Sequence, residues 1–338
     1  GLFGRIMSRA VGDTRSIDYD ISVQVQLPDE WDTTLARKNI GVTALVETDV
    51  CNLEWIKNIN EMDHVIVPSN FTKKVIMDTA KFIRPRTPIS VVPEWFNENL
   101  FNERELSLIN QDERYNFDTR KNLLVIGTLT SQSIDDDRKN LVNTISWALE
   151  ALKDSPEVGI IAKVSVGKST SEDRKITLEF LNSVVKSFRK GPYPRVHLIH
   201  GHMTDAEIAG LYSLDSVIGY ISATRGEGYG LPIIDAAASG IPVVTTNWSG
   251  HLDFLDKKFL KVDYDLVKIS ETRVDERIFV KNAKWANPKK ESFQDCLREL
   301  IANQEKYSKR SQELKRKVRR KFSKKSIIKI YDKIFQEI

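Results

Sequence analysis

Several features that mark other protein classes are scarce in this chain of 338 residues. It has two cysteines, Cys51 and Cys296, which are far apart and lack metal-ligand spacing, so free thiols and a reducing, cytoplasmic compartment are favoured. No apolar run approaches the roughly 18 residues that a membrane-spanning helix needs, and no secretory signal pattern opens the sequence. The sequence therefore disfavours a disulfide scaffold, a cysteine-ligated zinc site and an integral membrane protein.

The chain as a whole also lacks a strong excess of positive or negative charge. The formal net charge is +4, which does not favour a nucleic-acid partner. The positive excess is local, because residues 306–325 carry eleven Lys or Arg and one Glu. A solvated basic helix is the preferred interpretation of this run, and peripheral contact with an anionic membrane surface is the alternative.

Apolar, β-rich runs alternate with helical patterns along most of the chain. This alternation is typical of α/β architecture with mainly parallel sheets. The strands predicted for the first series are 20–28, 39–47, 64–69 and 89–94. After a polar segment, a second series opens with a predicted strand at 122–129 and a helix at 138–152, and long helices end the chain. The first series is shorter than the second, which predicts two unequal α/β domains.

A glycine-rich stretch, RGEGYGLP at residues 225–232, lies between a strand pattern and a helical pattern. The loop is therefore expected at the carboxyl end of a strand and before a helix N-terminus, where open α/β sheets bind ligands and where anions are stabilised. A dinucleotide fingerprint does not fit, because Leu231 stands where its third glycine belongs, and no GK[ST] follows for a Walker loop.

Two carboxylates narrow the class of ligand. Glu227 interrupts the glycines, and a carboxylate accepts hydrogen bonds only, so it suits a ligand that presents hydroxyl groups. Asp235 follows eight residues later, about 12 Å away if the segment were helical. That separation is similar to the distance between the two ends of a sugar–diphosphate–nucleoside. The pattern thus predicts hydroxyls at both ends and an anion between them.

The stretch EGYGLPIIDAAASGIPVV resembles the donor-binding signature of the retaining glycosyltransferases of family 4. The resemblance runs in order over roughly residues 40–260 and includes VIGTL with DDRKNL, and HVIVPSNFTKKVI with ISVVPEWFN. It implies the α/β GT-B fold, in which two Rossmann-like domains face a cleft. The implied parts are a shortened acceptor-side domain at 1–105, a nucleotide-sugar-binding domain at 106–315 and a terminal helix at 316–338 that crosses back to the first domain.

The resemblance also implies roles for individual residues. Glu227 would hold donor-sugar hydroxyls, Lys139 would neutralise the diphosphate, and Asp235 would bind the ribose diol although the usual residue is a glutamate. The companion arginine of the family is replaced by Thr128, so Arg138 is the expected substitute. The predicted catalytic residues are Glu227, Lys139, Arg138 and Glu47, and the predicted donor-binding residues are Gly127, Thr128, Gly226, Gly228, Tyr229, Gly230, Leu231 and Asp235.

Glu47 is the least specific of these predictions. It is placed at the end of a first-domain strand on the acceptor side, and capping of the following helix is an equal alternative.

No metal or cofactor is expected. No DxD motif is present, and residues 135–137 (DDD) are interpreted as solvated loop residues. Leaving-group charge would instead be stabilised by Lys139, Arg138 and the helix dipole. The predicted reaction moves a sugar from a nucleotide donor such as a UDP- or GDP-sugar to a hydroxyl of a glycan, lipid-linked or protein acceptor, with retention of configuration. The alternatives are a GT-B epimerase or phosphorylase, and a non-catalytic scaffold that binds sugar nucleotides.

Overall fold

The computed structural model of the chain describes residues 7–10, 18–81, 83–102, 104, 106, 112–131, 133–166 and 169–338. The first α/β unit is a four-stranded parallel sheet in the order β1-β2-β3-β4. Polar residues fix the starts of its helices, since Asn52 and Ser69 accept backbone N–H groups of the first helical turns. Its elements are β1 Ile21–Val25, β2 Lys38–Val42, α1 Leu53–Glu61, β3 His64–Val67, α2 Asn70–Thr79 and β4 Ile89–Val91.

The second unit is a six-stranded parallel sheet in the order β10-β9-β8-β5-β6-β7. The strand order reverses on either side of β5, as in doubly wound folds, so the loops that follow the strands at this point form a ligand crevice. Its elements are β5 Lys121–Thr128, α3 Leu141–Ala151, β6 Val158–Ser165, α4 Ser171–Phe188, β7 Arg195–Ile199, α5 Asp205–Ser213, β8 Val217–Ser222, α6 Leu231–Ser239, β9 Val243–Thr246, α7 Leu252–Leu255 and β10 Leu260–Val262.

A β-hairpin and three helices complete the chain. The hairpin pairs β11 (Tyr264–Lys268) with β12 (Lys284–Pro288) in antiparallel register. The helices are α8 Lys290–Ala302, α9 Gln304–Lys321 and α10 Lys324–Glu337. None of the described helices is both long enough and apolar enough to cross a bilayer.

The predicted α/β class with two Rossmann-like units is confirmed. Several strand predictions in the first unit were too long at the C-terminal end: β1 ends at Val25, β2 at Val42 rather than at residue 47, and β4 at Val91. Leu45 adopts a left-handed backbone with φ of 58°, which no strand residue adopts. Residues 43–47 are therefore a loop, and this loop carries Glu47 toward the second unit.

The hairpin packs on the first unit although it follows the second in sequence. Asp49 and Lys284 are joined twice, since each donates its backbone N–H to an oxygen of the other, at 2.8 and 2.7 Å. Apolar residues of both segments share one core, to which the hairpin and its loop contribute Ile269, Phe279, Ala283 and Trp285, and the first unit contributes Leu45, Val46, Cys51, Trp55 and Ile59 among others. The hairpin thus lies within the predicted second domain by sequence but completes the core of the first.

The terminal helix also joins both units. Ile327 and Ile334 of α10 are buried in the same apolar cluster as Ile40 of β2 and Ile66 of β3. Just before α10, Arg319 stacks over Phe101, with its guanidinium 4.4 Å from the ring centroid. The predicted domain boundaries stay predictions, but the described units are linked by packing as well as by the chain.

We expect Trp285→Ala to destabilise the whole protein by about 3–5 kcal/mol, because it empties a large, fully buried site at the hairpin–first-unit contact. The free energy of unfolding from urea denaturation measures this. Leu266→Ala is the matched control on the same hairpin, since Leu266 is 45% exposed, and it should change stability by less than about 0.5 kcal/mol. Equal effects of the two variants would contradict a structural role of the hairpin core.

Candidate functional site

The glycine-rich loop joins β8 to α6 at the carboxyl edge of the second sheet. Its carbonyl groups point to the protein: Gly228 O accepts the Ser69 hydroxyl at 2.6 Å, and Gly226 O accepts a guanidinium N–H of Arg138 at 2.8 Å. Within the described part of the chain, no acceptor faces the N–H groups of Gly228, Tyr229 and Gly230. These N–H groups lie at the N-terminus of α6, where the helix dipole adds positive potential, so the loop is a site for an anion.

The glycines of the loop are required mainly by its contact with the first unit. A Cβ atom on Gly226 would lie 2.6 Å from the backbone oxygen of Glu47, and a Cβ on Gly228 would lie 3.1 Å from that of Ala44. Gly230 has a φ of +97° at the N-cap of α6, which also favours glycine. Gly226 and Gly228 therefore admit the backbone of the facing domain.

Glu227 is held at the centre of a buried ion cluster. Both of its carboxylate oxygens accept hydrogen bonds from Lys139 Nζ, at 2.8 and 2.7 Å, and Thr224 donates a further one at 3.0 Å. Arg138 lies 3.5 Å away. Burial alone would raise the pKa of Glu227, but the charges of Lys139 and Arg138 lower it to about 2. Glu227 is therefore an ionised, pre-positioned acceptor at neutral pH.

Arg138 extends this cluster across the boundary between the two units. Its second guanidinium nitrogen lies 3.3 Å from Glu47 Oε1. Burial works against the charge of Arg138, but Glu47 and Glu227 outweigh it and raise its pKa. For Glu47 burial is the stronger influence, and it raises the pKa of that carboxyl despite Arg138. The structure thus brings all four predicted catalytic residues together.

The structure decides between the two interpretations of Glu47. The residue that caps the following helix α1 is Asn52, whose side chain accepts the N–H of Glu54 at 2.9 Å. The alternative in which Glu47 caps that helix was therefore wrong. Glu47 points instead to the guanidinium of Arg138.

The turn that presents Arg138 and Lys139 is organised by aspartates. Asp137 Oδ1 accepts both the N–H and the hydroxyl of Thr130, and its Oδ2 accepts the N–H of Leu141 at the start of α3. Asp136 accepts the hydroxyl of Thr272 from the hairpin loop at 2.8 Å. The interpretation of residues 135–137 as solvated was correct for Asp135 and wrong for the other two, which are buried.

The expectation that no metal is required stays a prediction. Among the described residues, no group of three or more His, Cys, Asp or Glu side chains is arranged to hold a metal ion.

The end of β5 carries the two remaining predicted donor residues of the first βα turn. Thr128 is exposed, and its hydroxyl lies 3.3 Å from that of Ser165 at the end of β6. Gly127 lines a cavity of about 10 Å³ together with Lys139 and Glu227, which is room for about one water molecule. Positive charge at this edge comes from Arg138 and Lys139 in the turn before α3, and Thr128 adds only a hydroxyl.

Asp235 lies on α6 at the contact between the two units. Its Oδ1 accepts the backbone N–H of Asn97, which follows β4, at 2.7 Å. Burial raises the pKa of Asp235 to about 6, although the Asn97 hydrogen bond opposes the shift. Asp235 is thus close to neutral in mildly acidic solution, in contrast to Glu227.

The side chains of two predicted loop residues, Tyr229 and Leu231, differ in burial. The ring of Tyr229 is buried against Phe254, with centroids 5.1 Å apart. Leu231, the first residue of α6, is 53% exposed. Tyr229 therefore contributes its backbone to the anion site and its ring to the core.

Three residues support the loop, and two of them, Ser69 and Ser249, were not predicted as site residues. Ser69 caps α2 and holds Gly228, Ser249 accepts the N–H of Glu227 at 2.9 Å, and His251 lies 2.7 Å from Thr246 O beneath them. Burial lowers the pKa of His251, which keeps it neutral. The available signal for Ser69 and Ser249 was their position within three residues of the end of a strand, as for other ligand-site residues of α/β sheets.

The segment that carries this site is similar to a known protein family. Residues 215–329 match a family described as "Family 4 Glycosyltransferase in conflict systems". The matched segment contains the glycine loop, Glu227 and Asp235. The resemblance to family 4 glycosyltransferases is confirmed.

Solved structures show the GT-B fold at low sequence identity. The chain aligns with the pneumococcal O-GlcNAc transferase GtfA in complex with UDP and GlcNAc (TM-score 0.57, 16% identity, 90% of this chain and 53% of that chain). It aligns with Anabaena HepE in complex with UDP and glucose (0.61, 13%, 94% and 71%) and with a glycosyltransferase from Rickettsia africae (0.61, 16%, 99% and 79%). The chain thus spans about half the length of GtfA. No curated protein matches it significantly.

We expect the stability of the protein to fall as pH rises from about 4 to 6 through the contribution of Asp235. Its pKa is about 6 in the folded chain and 3.8 in the reference state, so the folded state binds the proton more tightly in this window. Asp235→Asn retains an acceptor for the Asn97 N–H and removes this dependence. The variant should therefore gain up to about 2–3 kcal/mol over the wild type near neutral pH, and little near pH 4.

Urea denaturation at a series of pH values measures the difference between Asp235→Asn and the wild type. Asp154→Asn is the control, because Asp154 is exposed on the surface. A constant difference between the Asp235 variant and the wild type across the pH range would show that the carboxyl is not perturbed.

Proposed function

We propose that this GT-B protein transfers a sugar from a nucleoside-diphosphate donor to an acceptor hydroxyl, with retention of the anomeric configuration. One observation carries the proposal: an ionised buried carboxylate, Glu227, stands beside a row of free backbone N–H groups at the N-terminus of α6. A phosphate alone would be repelled by that carboxylate, whereas a sugar diphosphate offers hydroxyl groups to Glu227 and an anion to the N–H groups.

The N–H groups of Gly228, Tyr229 and Gly230 would bind the diphosphate. Lys139 donates two hydrogen bonds to Glu227 and has a third ammonium hydrogen, which would donate a hydrogen bond to a phosphate oxygen. This arrangement requires no large movement of Lys139. It stabilises the charge that develops on the leaving diphosphate, and such preorganised donors are usually the largest contribution to catalysis.

Asp235 would bind the ribose diol through Oδ2, since its Oδ1 is occupied by the Asn97 N–H. A ligand hydroxyl that donates to this carboxylate favours its ionised form, so binding would lower the raised pKa of Asp235. The nucleotide would therefore bind with proton release in mildly acidic solution. UDP is the first nucleotide to test, because the GtfA and HepE structures contain UDP.

The chemical step follows a front-face substitution. The bond between the anomeric carbon and the phosphate oxygen breaks, the acceptor oxygen bonds to the same face of that carbon, and the acceptor proton passes to the departing phosphate oxygen. This step needs no protein nucleophile and no metal, because positive charge comes from Lys139, Arg138 and the α6 dipole. Glu47, from the first unit, would orient the acceptor hydroxyl, and Arg138 holds it in place at 3.3 Å.

A non-catalytic sugar-nucleotide scaffold is the second candidate. The observation that favours it is the close contact between the units, since Gly226 and Gly228 pack against the backbone of residues 44–47. In addition, both Lys139 and Arg138 are engaged with Glu227. A scaffold would bind the donor and keep it intact.

We expect Glu227→Gln to lower the rate of donor turnover by at least about 100-fold, because it removes the charge that pairs with Lys139 and Arg138 and accepts the sugar hydroxyls. Release of nucleotide from UDP-, GDP- and ADP-sugars measures turnover, and thermal shift with the same panel measures binding. Glu179→Gln, an exposed change on α4, is the control and should retain wild-type turnover.

Three outcomes separate the candidates. Nucleotide release that is lost in Glu227→Gln supports the transferase. A thermal shift without release by the wild type supports the scaffold. Cleavage of the donor into sugar phosphate and nucleoside monophosphate would contradict a transferase, because water would then break the P–O–P linkage and leave the anomeric bond intact.

A further inference from the structure

One flank of the terminal helix α10 is uncovered although it is partly apolar. The buried face of α10 is centred on Ile327 and Ile334. Successive residues of a helix are rotated by about 100°, so Ile328 and Phe335 both lie on the flank next to that face. Ile328 is 43% exposed and Phe335 is 37% exposed. Apolar side chains in this position have water, and not protein, on one side.

The first unit extends this flank with an aromatic residue. Trp95, which follows β4, is 39% exposed, and the Lys324 ammonium lies 5.7 Å from its ring centroid. Lys324 is on the same flank of α10 as Ile328, and Lys325 lies just beyond it. We call the surface formed by Trp95, Lys324, Lys325, Ile328 and Phe335 the α10 strip.

Some of the cations on α9 are paired with acidic side chains. Lys306 and Lys317 of α9 form ion pairs with Glu299 and Asp256, at 3.0 and 2.8 Å. Among the described residues, Lys325 and Lys329 are exposed and have no acidic partner. Exposed positive charge is thus available on α10, and Lys309, Arg320 and Lys321 of α9 add further exposed cations.

We propose that the α10 strip docks on an anionic lipid bilayer. The bilayer interface accepts cations at the headgroups and apolar and tryptophan side chains just below them, which is the mixture that the strip presents. A nucleic-acid backbone would neutralise the lysines but would leave Ile328 and Phe335 in water. A lipid surface therefore matches both components of the strip.

The position of the strip gives this contact a consequence for the cleft. Trp95 follows β4 at the carboxyl edge of the first sheet, and Asn97, two residues later, contacts Asp235 of the second unit. The bilayer would therefore lie next to the boundary between the two units. The docking proposal goes beyond the proposed transfer reaction and stands without it, because it concerns binding alone.

Co-sedimentation of the full chain with vesicles tests the proposal. The vesicles are phosphatidylcholine alone, or phosphatidylcholine mixed with phosphatidylglycerol, each at low and at high salt. The wild type should bind the mixed vesicles and be released in large part at high salt. The variant Lys324→Gln/Lys325→Gln/Lys329→Gln should bind about 100-fold more weakly, since each cation contributes about fivefold.

A second variant tests the apolar residues of the α10 strip, and a third serves as a matched control for the loss of positive charge. Ile328→Ser/Phe335→Ser should weaken binding at both salt concentrations, because its effect is not screened. Lys175→Gln/Lys186→Gln/Lys190→Gln removes three exposed lysines from α4 and the residue stretch after it, and it should bind as the wild type does. Circular dichroism melting shows that each variant is folded before its binding is compared.

Four results would overturn the proposal. The first is that the wild type fails to bind the mixed vesicles at low salt, and the second is that the α4 control variant loses as much binding as the α10 lysine variant. The third is that the serine variant binds as tightly as the wild type, which would reduce the contact to charge alone. The fourth is that the wild type binds a short DNA duplex but not the vesicles, which would assign the lysines to a nucleic-acid partner.

Discussion

The buried ion cluster around Glu227 is the interaction on which the site depends. A carboxylate out of water is stable only if it is paired, and Lys139 and Arg138 provide that pairing from the turn before α3. Arg138 also reaches Glu47, so the same charges that keep Glu227 ionised join the two α/β units. The chemistry of the loop and the relative position of the units therefore have one electrostatic basis.

Packing adds to this connection in two places. The β11–β12 hairpin completes the core of the first unit, and α10 shares an apolar cluster with β2 and β3. A direct hydrogen bond from Ser69 to Gly228 fixes the loop between them. Because these contacts surround the glycine loop, its carbonyl groups are held by protein and its N–H groups are left for an anion.

The sequence predicted the α/β class, the place of the glycine loop and the four charged residues of the cluster. Strand patterns and the signature at residues 227–244 located the loop, and the resemblance to family 4 glycosyltransferases indicated the charged residues outside it. The sequence did not predict that the loop after Val42 brings Glu47 to Arg138, or that Asp136 and Asp137 are buried supports. It also missed Ser69 and Ser249. Apart from the local hydrogen bonds of Asp137, these features depend on contacts between segments far apart in the chain, and no pattern of spacing records such contacts.

The sequence by itself determined the kind of site: glycines before a helix N-terminus, with carboxylates at residues 227 and 235. Only the tertiary structure decided the state of those carboxylates. Glu227 is ionised because two cations surround it, whereas the pKa of Asp235 is raised to about 6 because burial outweighs its one hydrogen bond. The residue types set what each group can donate or accept, but the surroundings that the fold supplies set its charge.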